Sequence, residues 1–150
     1  MIVVTIIGMI PQVQEIRLLV KTLISVLEKK YHIAHNLRTI LLQKQRAIMN
    51  REHTILTSSL KEEEREAKKF EEIEKDYVLI TKECSTIPLE DFIVQCTPEE
   101  QKKLQQLTED IKIVMSQIQY INQQNASLLD VSKKVIDDAM KLIKEKHKIV

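Results

Sequence analysis

The sequence predicts an all-α protein, an elongated antiparallel bundle of three long helices with coiled-coil packing and a short helix in the second connection. Three observations carry this. First, Leu104, Leu107, Ile111, Val114, Ile118, Ile121, Leu128, Val135, Ala139 and Leu142 recur in steps of three and four, with polar Asn125 and Ser132 completing the row. Only a repeat near 3.5 residues keeps so narrow a stripe facing one partner helix. Second, helix breakers are almost missing, with one Gly (position 8) and three Pro (11, 88 and 98) in 150 residues. Third, aromatics amount to 3% (Tyr31, Phe70, Tyr77, Phe92 and Tyr120) and Trp is absent. That suits thin aliphatic seams better than a broad globular core.

The chain opens with an almost wholly apolar run, Met1 to Ile10. At about ten residues it is too short to span a bilayer. It also lacks the basic flank and small-residue cleavage site of a secretory signal. It is expected to be an extension outside the fold, leaving a single helical-bundle domain over residues 11–150. Pro11 suits a helix start, and a first helix is expected over residues 12–49. There Ile16, Leu19, Leu23, Val26, Ile33, Leu37, Ile40 and Ala47 keep heptad spacing, and Lys30 and Lys44 fill the remaining seam positions.

A second helix is expected over residues 52–83, with Asn50 as its cap. Its weaker seam runs through Leu56, Leu60, Ala67, Phe70, Ile73, Tyr77 and Ile80, and Glu64 to Lys68 and Glu71 to Lys75 are favourably spaced pairs. The pattern breaks between Cys84 and Thr97, with room for a short helix from Leu89 to Gln95. Thr97, Pro98 and Glu100 then form a capping box with Pro at the first helical position, the start of a last helix over residues 98–146. That helix would be about 70 Å long at the usual rise.

Charge divides the first two helices. Residues 12–49 carry seven basic and two acidic side chains, and residues 52–83 carry six basic and ten acidic. Exposed pairs between them are worth only about 0 to 1 kcal/mol each, but they favour one pairing of helices over its alternatives. The net charge is +1, so bulk charge draws the chain to neither nucleic acid nor a membrane surface.

Catalytic signals are sparse. Cys84 and Cys96 read as free thiols, and they lack the two further close ligands a zinc site requires. His32 and His35 lie one turn apart on the outer side of the first helix, and no Glu precedes a His by three residues, so the Glu-x-x-His pair of di-iron bundles is missing. His35 beside Arg38 offers a phosphotransfer reading, although the small residue such a site needs one turn on is not there. Phosphate-cradling loops need glycines that this chain lacks. No enzyme, cofactor or metal is expected.

One further pattern points to a family. A Leu-rich first helix ends in the basic stretch Leu37 to Arg51, a charged second helix follows, and the last helix carries Ile121-Asn122-Gln123-Gln124-Asn125-Ala126-Ser127-Leu128-Leu129. This resembles the FlgN family of flagellar export chaperones, whose last long helix carries an Asn-x-x-Asn-x-x-Leu-Leu pattern. The resemblance covers roughly residues 20 to 145. It implies a cytoplasmic chaperone of the flagellar type III secretion system. Such a chaperone binds the C-terminal helical segment of hook-associated proteins, keeps them from assembling early and delivers them to the export gate. No nucleic acid and no stable membrane insertion are implied. A generic coiled-coil adaptor, or a stalk subunit of a secretion system, is the competing reading.

The residues for such binding lie late in the last helix. Leu128 and Val135 are seam positions, and Leu129, Ile136, Met140 and Ile143 lie beside them. They are expected to face a partner helix, with Asn122 and Asn125 at the near end. Packing within the bundle or in a homodimer would cover the same residues, and a polar residue on a seam also serves to fix register. Tyr120 falls two residues past a seam position and is expected to point outward, as an anchor for the export gate.

Overall fold

The computed structural model describes the backbone of residues 2–149 and the side chains of residues 13–147. It is all-helical, and among the described residues there is no strand. Four helices follow one another: α1 (Ile2–Asn50), α2 (His53–Ser85), α3 (Leu89–Gln95) and α4 (Pro98–Ile149). The short α3 occupies the range left for it by the break in periodicity.

α1 begins ahead of residue 12, where Pro11 placed the expected start. Residues 2–10 contain a single Gly among residues a helix tolerates, and the helix runs through Pro11 at the cost of one backbone hydrogen bond. The side chains of this stretch lie outside the described residues, and so does the question whether Met1 to Ile10 stands apart from the fold.

The two turns are built differently. Asn50 is the last residue of α1, not the cap of α2, whose first turn has no side-chain cap. Instead Arg51 turns the chain in the left-handed region at φ 55°. Its N–H donates to the Ile48 carbonyl at 3.4 Å, and the Glu52 N–H donates to the Ala47 carbonyl at 2.9 Å. This is a Schellman closure with Arg where Gly is usual. At the start of α4, both bonds of the capping box are made: the Thr97 N–H donates to Glu100 Oε1 at 3.0 Å and the Glu100 N–H to Thr97 Oγ1 at 3.1 Å.

α1 is the common partner of the other long helices, and α2 and α4 hardly approach each other. Lys30 pairs with Glu74 and Lys44 with Glu63, so α1 and α2 run antiparallel. Glu28 pairs with Lys103, Arg38 Nη1 donates to Gln117 Oε1 and Gln45 Nε2 donates to Gln124 Oε1, so α1 and α4 run parallel. Two apolar clusters follow. Val26, Ile73 and Ile80 join α1 to α2, and Ala34, Leu41, Val114, Ile118 and Ile121 join α1 to α4. Phe70 of α2 packs on both.

The seam lysines show how charge enters this packing. Lys30 is nearly buried, and its Nζ also sits 4.2 Å from the centre of the Tyr77 ring, where the ring face attracts a cation. Its aliphatic stem fills an apolar position while the head finds a carboxylate and a π face. Lys44, also at a seam position, pairs with Glu63 at 3.0 Å. Both glutamates come from the acidic second helix.

The Arg51 turn yields a stability prediction. A side-chain-bearing residue held left-handed costs about 1 kcal/mol. Arg51→Gly should therefore raise the unfolding free energy by about 1 kcal/mol in urea denaturation, and an unchanged or lower midpoint would mean that the turn carries no such strain.

Candidate partner-binding site

The register of α4 on α1 determines what the last helix leaves uncovered. Arg38 to Gln117 and Gln45 to Gln124 are both offset by 79 residues, which brings Asn50, the end of α1, level with residue 129. Beyond that point α4 has no neighbour among the described residues. Every described residue from 129 to 147 is exposed, forming a projecting helical arm.

The arm is strongly two-sided. At 100° per residue, Leu128, Leu129, Val131, Val135, Ile136, Ala139, Met140, Leu142 and Ile143 fill about half the circumference, which they share with Ser132 and, at the far end, Lys146 and His147. Asp130, Lys133, Lys134, Asp137, Asp138, Lys141, Lys144 and Glu145 fill the rest. The large apolar side chains from Leu129 onward are 41 to 62% exposed. A single coiled-coil seam is narrower than this face, and full burial of one such side chain is worth about 1.5 to 3 kcal/mol. The arm therefore holds a large unspent driving force for association.

The residues singled out from sequence separate into two groups. Leu129, Val135, Ile136, Met140 and Ile143 are brought together on this exposed face, and half-buried Leu128 stands at its root. Asn122 is exposed on the flank. Asn125 is not available to a partner: it is 2% exposed within the α1–α4 interface, and its Nδ2 donates to the Leu41 carbonyl at 3.1 Å. Its Oδ1 is buried without a partner. This is the register-fixing reading of a polar seam residue.

Tyr120 is 61% exposed and points outward, as its position relative to the seam required. Its hydroxyl accepts from Gln124 Nε2 at 3.0 Å, and Gln124 is in turn bonded to Gln45. Around it Arg38, Leu42 and Arg46 of α1 line a shallow depression of about 530 Å³. A larger open groove of about 810 Å³ lies where α2 and α4 diverge, with Leu27 and Lys30 of α1, Tyr77 of α2, and residues from Thr108 to Ala126 of α4. No linear pattern announced either concavity, because each depends on helices that are distant in sequence.

The remaining chemical candidates are absorbed by the fold. His35 is half-buried, and its Nδ1 is 2.8 Å from Arg38 Nη2. Among the described residues no group of three or more His, Cys, Asp or Glu could hold a metal ion, and no helix is long and apolar enough to cross a membrane. Cys84 and Cys96 are free thiols. Burial pushes both up from their ordinary value, and the carboxylates of Glu83 and Glu100 respectively push the same way.

Both thiols should accordingly be protonated and unreactive at pH 7. Alkylation by iodoacetamide should run slower than for a free cysteine and accelerate only as pH rises above the usual thiol range. Rapid labelling of the folded chain at neutral pH would contradict this.

Comparison with known proteins adds one finding. The family model described as FlgN protein matches residues 9–149, nearly the whole chain. No curated protein and no solved structure matches it.

Proposed function

The chain belongs to the FlgN family, the flagellar export chaperones, and on that premise we propose that its projecting arm captures the C-terminal helical segment of hook-associated proteins. The observation that carries this reading is the uncovered apolar half of α4 beyond Leu128. An amphipathic cargo helix lies along Leu128, Leu129, Val135, Ile136, Met140 and Ile143, with Asn122 at the near end, and continues the line that α1 leaves at Asn50. This is helix-in-groove recognition. A subunit end that would otherwise polymerise is covered until release, which needs apolar surface and no catalytic group. Met140 adapts to cargoes of different shape because its side chain is unbranched and polarizable.

In the cytoplasm the loaded chaperone then meets the export gate through Tyr120. The aromatic ring stands clear of the cargo face, and Leu42, Arg38 and Arg46 provide an apolar and basic surround for it. The matched segment begins at residue 9, so most of the stretch Met1 to Ile10 precedes it, which supports reading that stretch as an extension dispensable for cargo binding.

Two measurements test the proposal. Calorimetric titration with the C-terminal segments of the hook-associated proteins encoded in the same genome should show saturable binding at micromolar concentration or tighter. Met140→Asp should weaken it by about ten- to a hundredfold, the equivalent of about 1.4 to 2.8 kcal/mol, and deletion from Leu128 onward should abolish it. Absence of binding by the intact chain would remove the cargo assignment. Separately, Tyr120→Ala should lower secretion of hook-associated proteins while leaving the titration unchanged, and undiminished secretion would remove Tyr120 from the docking step.

A further inference from the structure

Charge along α1 is divided between two sides. Between Glu28 and Glu52 the chain has no acidic residue, and between Asp110 and Asp130 α4 has none either. The offset of 79 residues sets these two stretches level with each other along the α1–α4 contact. Two lysines of the α1 stretch are matched within the molecule: Lys30 and Lys44 turn to α2 and pair with Glu74 and Glu63. Its arginines are not. At 100° per residue Arg46 lies about 160° around α1 from both lysines, and neither Arg46 nor Arg38 has a carboxylate partner among the described residues.

Both arginines line the depression at Tyr120, with Leu42 between them. They are two helical turns apart, about 12 Å along the axis of α1. Arg38 is held in place, since Nη1 donates to Gln117 Oε1 at 2.6 Å and Nη2 lies 2.8 Å from His35 Nδ1. Arg46 is exposed. The rest of the lining, Thr39, Gln43, Gln117, Tyr120 and Ile121, is neutral. The depression is therefore a strip of apolar and amide groups with an unmatched guanidinium toward each end, and a guanidinium fork is the natural complement of a carboxylate.

We propose that the partner surface received here is an acidic helical segment of the export gate: two carboxylates about two turns apart meet Arg38 and Arg46, and an apolar side chain between them covers Leu42 and the Tyr120 ring. A helix suits the site because the strip runs along the contact of two parallel helices. Residues four and seven or eight apart on an incoming helix share one face and span the distance between the arginines. A phospholipid surface is the poorer match, since membrane-binding segments gather four or more cations and this strip has two. The inference rests on the docking role given to Tyr120 and adds the chemistry of what docks.

Co-sedimentation of the full chain with membrane vesicles from the same organism tests it. Vesicles that carry the export gate are compared with vesicles from a strain lacking it, each with and without a saturating hook-associated segment. The chain should bind only the gate-bearing vesicles, and several-fold more weakly when salt is raised from about 50 to about 300 mM. Arg46→Glu should weaken binding about tenfold and Arg46→Lys about threefold or less. Because Arg46 is exposed and away from the arm, both variants should keep wild-type helicity by circular dichroism and wild-type cargo titration. Weakening by Tyr120→Ala, with no effect of Arg46→Glu or of salt, would overturn the acidic partner and leave Tyr120 in the docking step. No binding of the wild type to gate-bearing vesicles, or binding insensitive to both substitutions, would remove the two together. Equal binding to vesicles without the gate would assign the arginines to lipid phosphate and overturn the proposal.

Discussion

Everything distinctive about this molecule follows from the contact between α4 and α1, and from the fact that α1 ends first. α4 commits its narrow seam to one helix, through Val114, Ile118 and Ile121 against Ala34 and Leu41. The same heptad row then runs on past Asn50 with no helix opposite. Had α1 continued alongside, the apolar row from Leu128 to Leu142 would have been core. The exposed face is the core pattern of a bundle whose partner strand is missing, and this is why it could be read as a receptor for another helix.

The second consequence is architectural. Because α1 serves both neighbours, α2 and α4 stand on either side of it and leave a groove between them. Phe70 reaches across to both apolar clusters. The α1–α2 side is specified by charge, with two lysines set at seam positions and drawn to Glu63 and Glu74. The α1–α4 side is specified by Asn125, which spends one hydrogen bond on the Leu41 carbonyl and leaves one acceptor empty. Buried polar groups of this kind lower stability while fixing alignment. Here the alignment decides how much of α4 projects.

Local patterns were legible in the sequence. The heptad rows, the short helix at Leu89 to Gln95, the Thr97–Glu100 box and the pairing of a basic with an acidic helix all rest on neighbours a few residues apart, or on charge sums over one element. The turn at Arg51 was not legible, because a left-handed arginine carries no residue-type signal and Asn50 was the stronger cap on propensity. The grooves were hidden for a different reason. A seam announces that it needs a partner without saying which, and so the sharing of α1 appears only in three dimensions. Among the candidate site residues, the excess apolar width from Leu129 was readable in the sequence, while the burial of Asn125 against α1 shows only once the helices are placed.

The arm also sets a clock for the molecule. A helix with no tertiary contact keeps its shape by its own propensity and by favourably spaced charges such as Asp130 and Lys134 or Asp137 and Lys141, a spacing worth a few tenths of a kcal/mol each. Segments of this kind open at almost no cost, and opening is what admits a protease. The rest of the chain is held by two packed clusters and does not open with it. An uncovered arm is therefore the point at which cleavage would begin, and any helix packed along it would shield it.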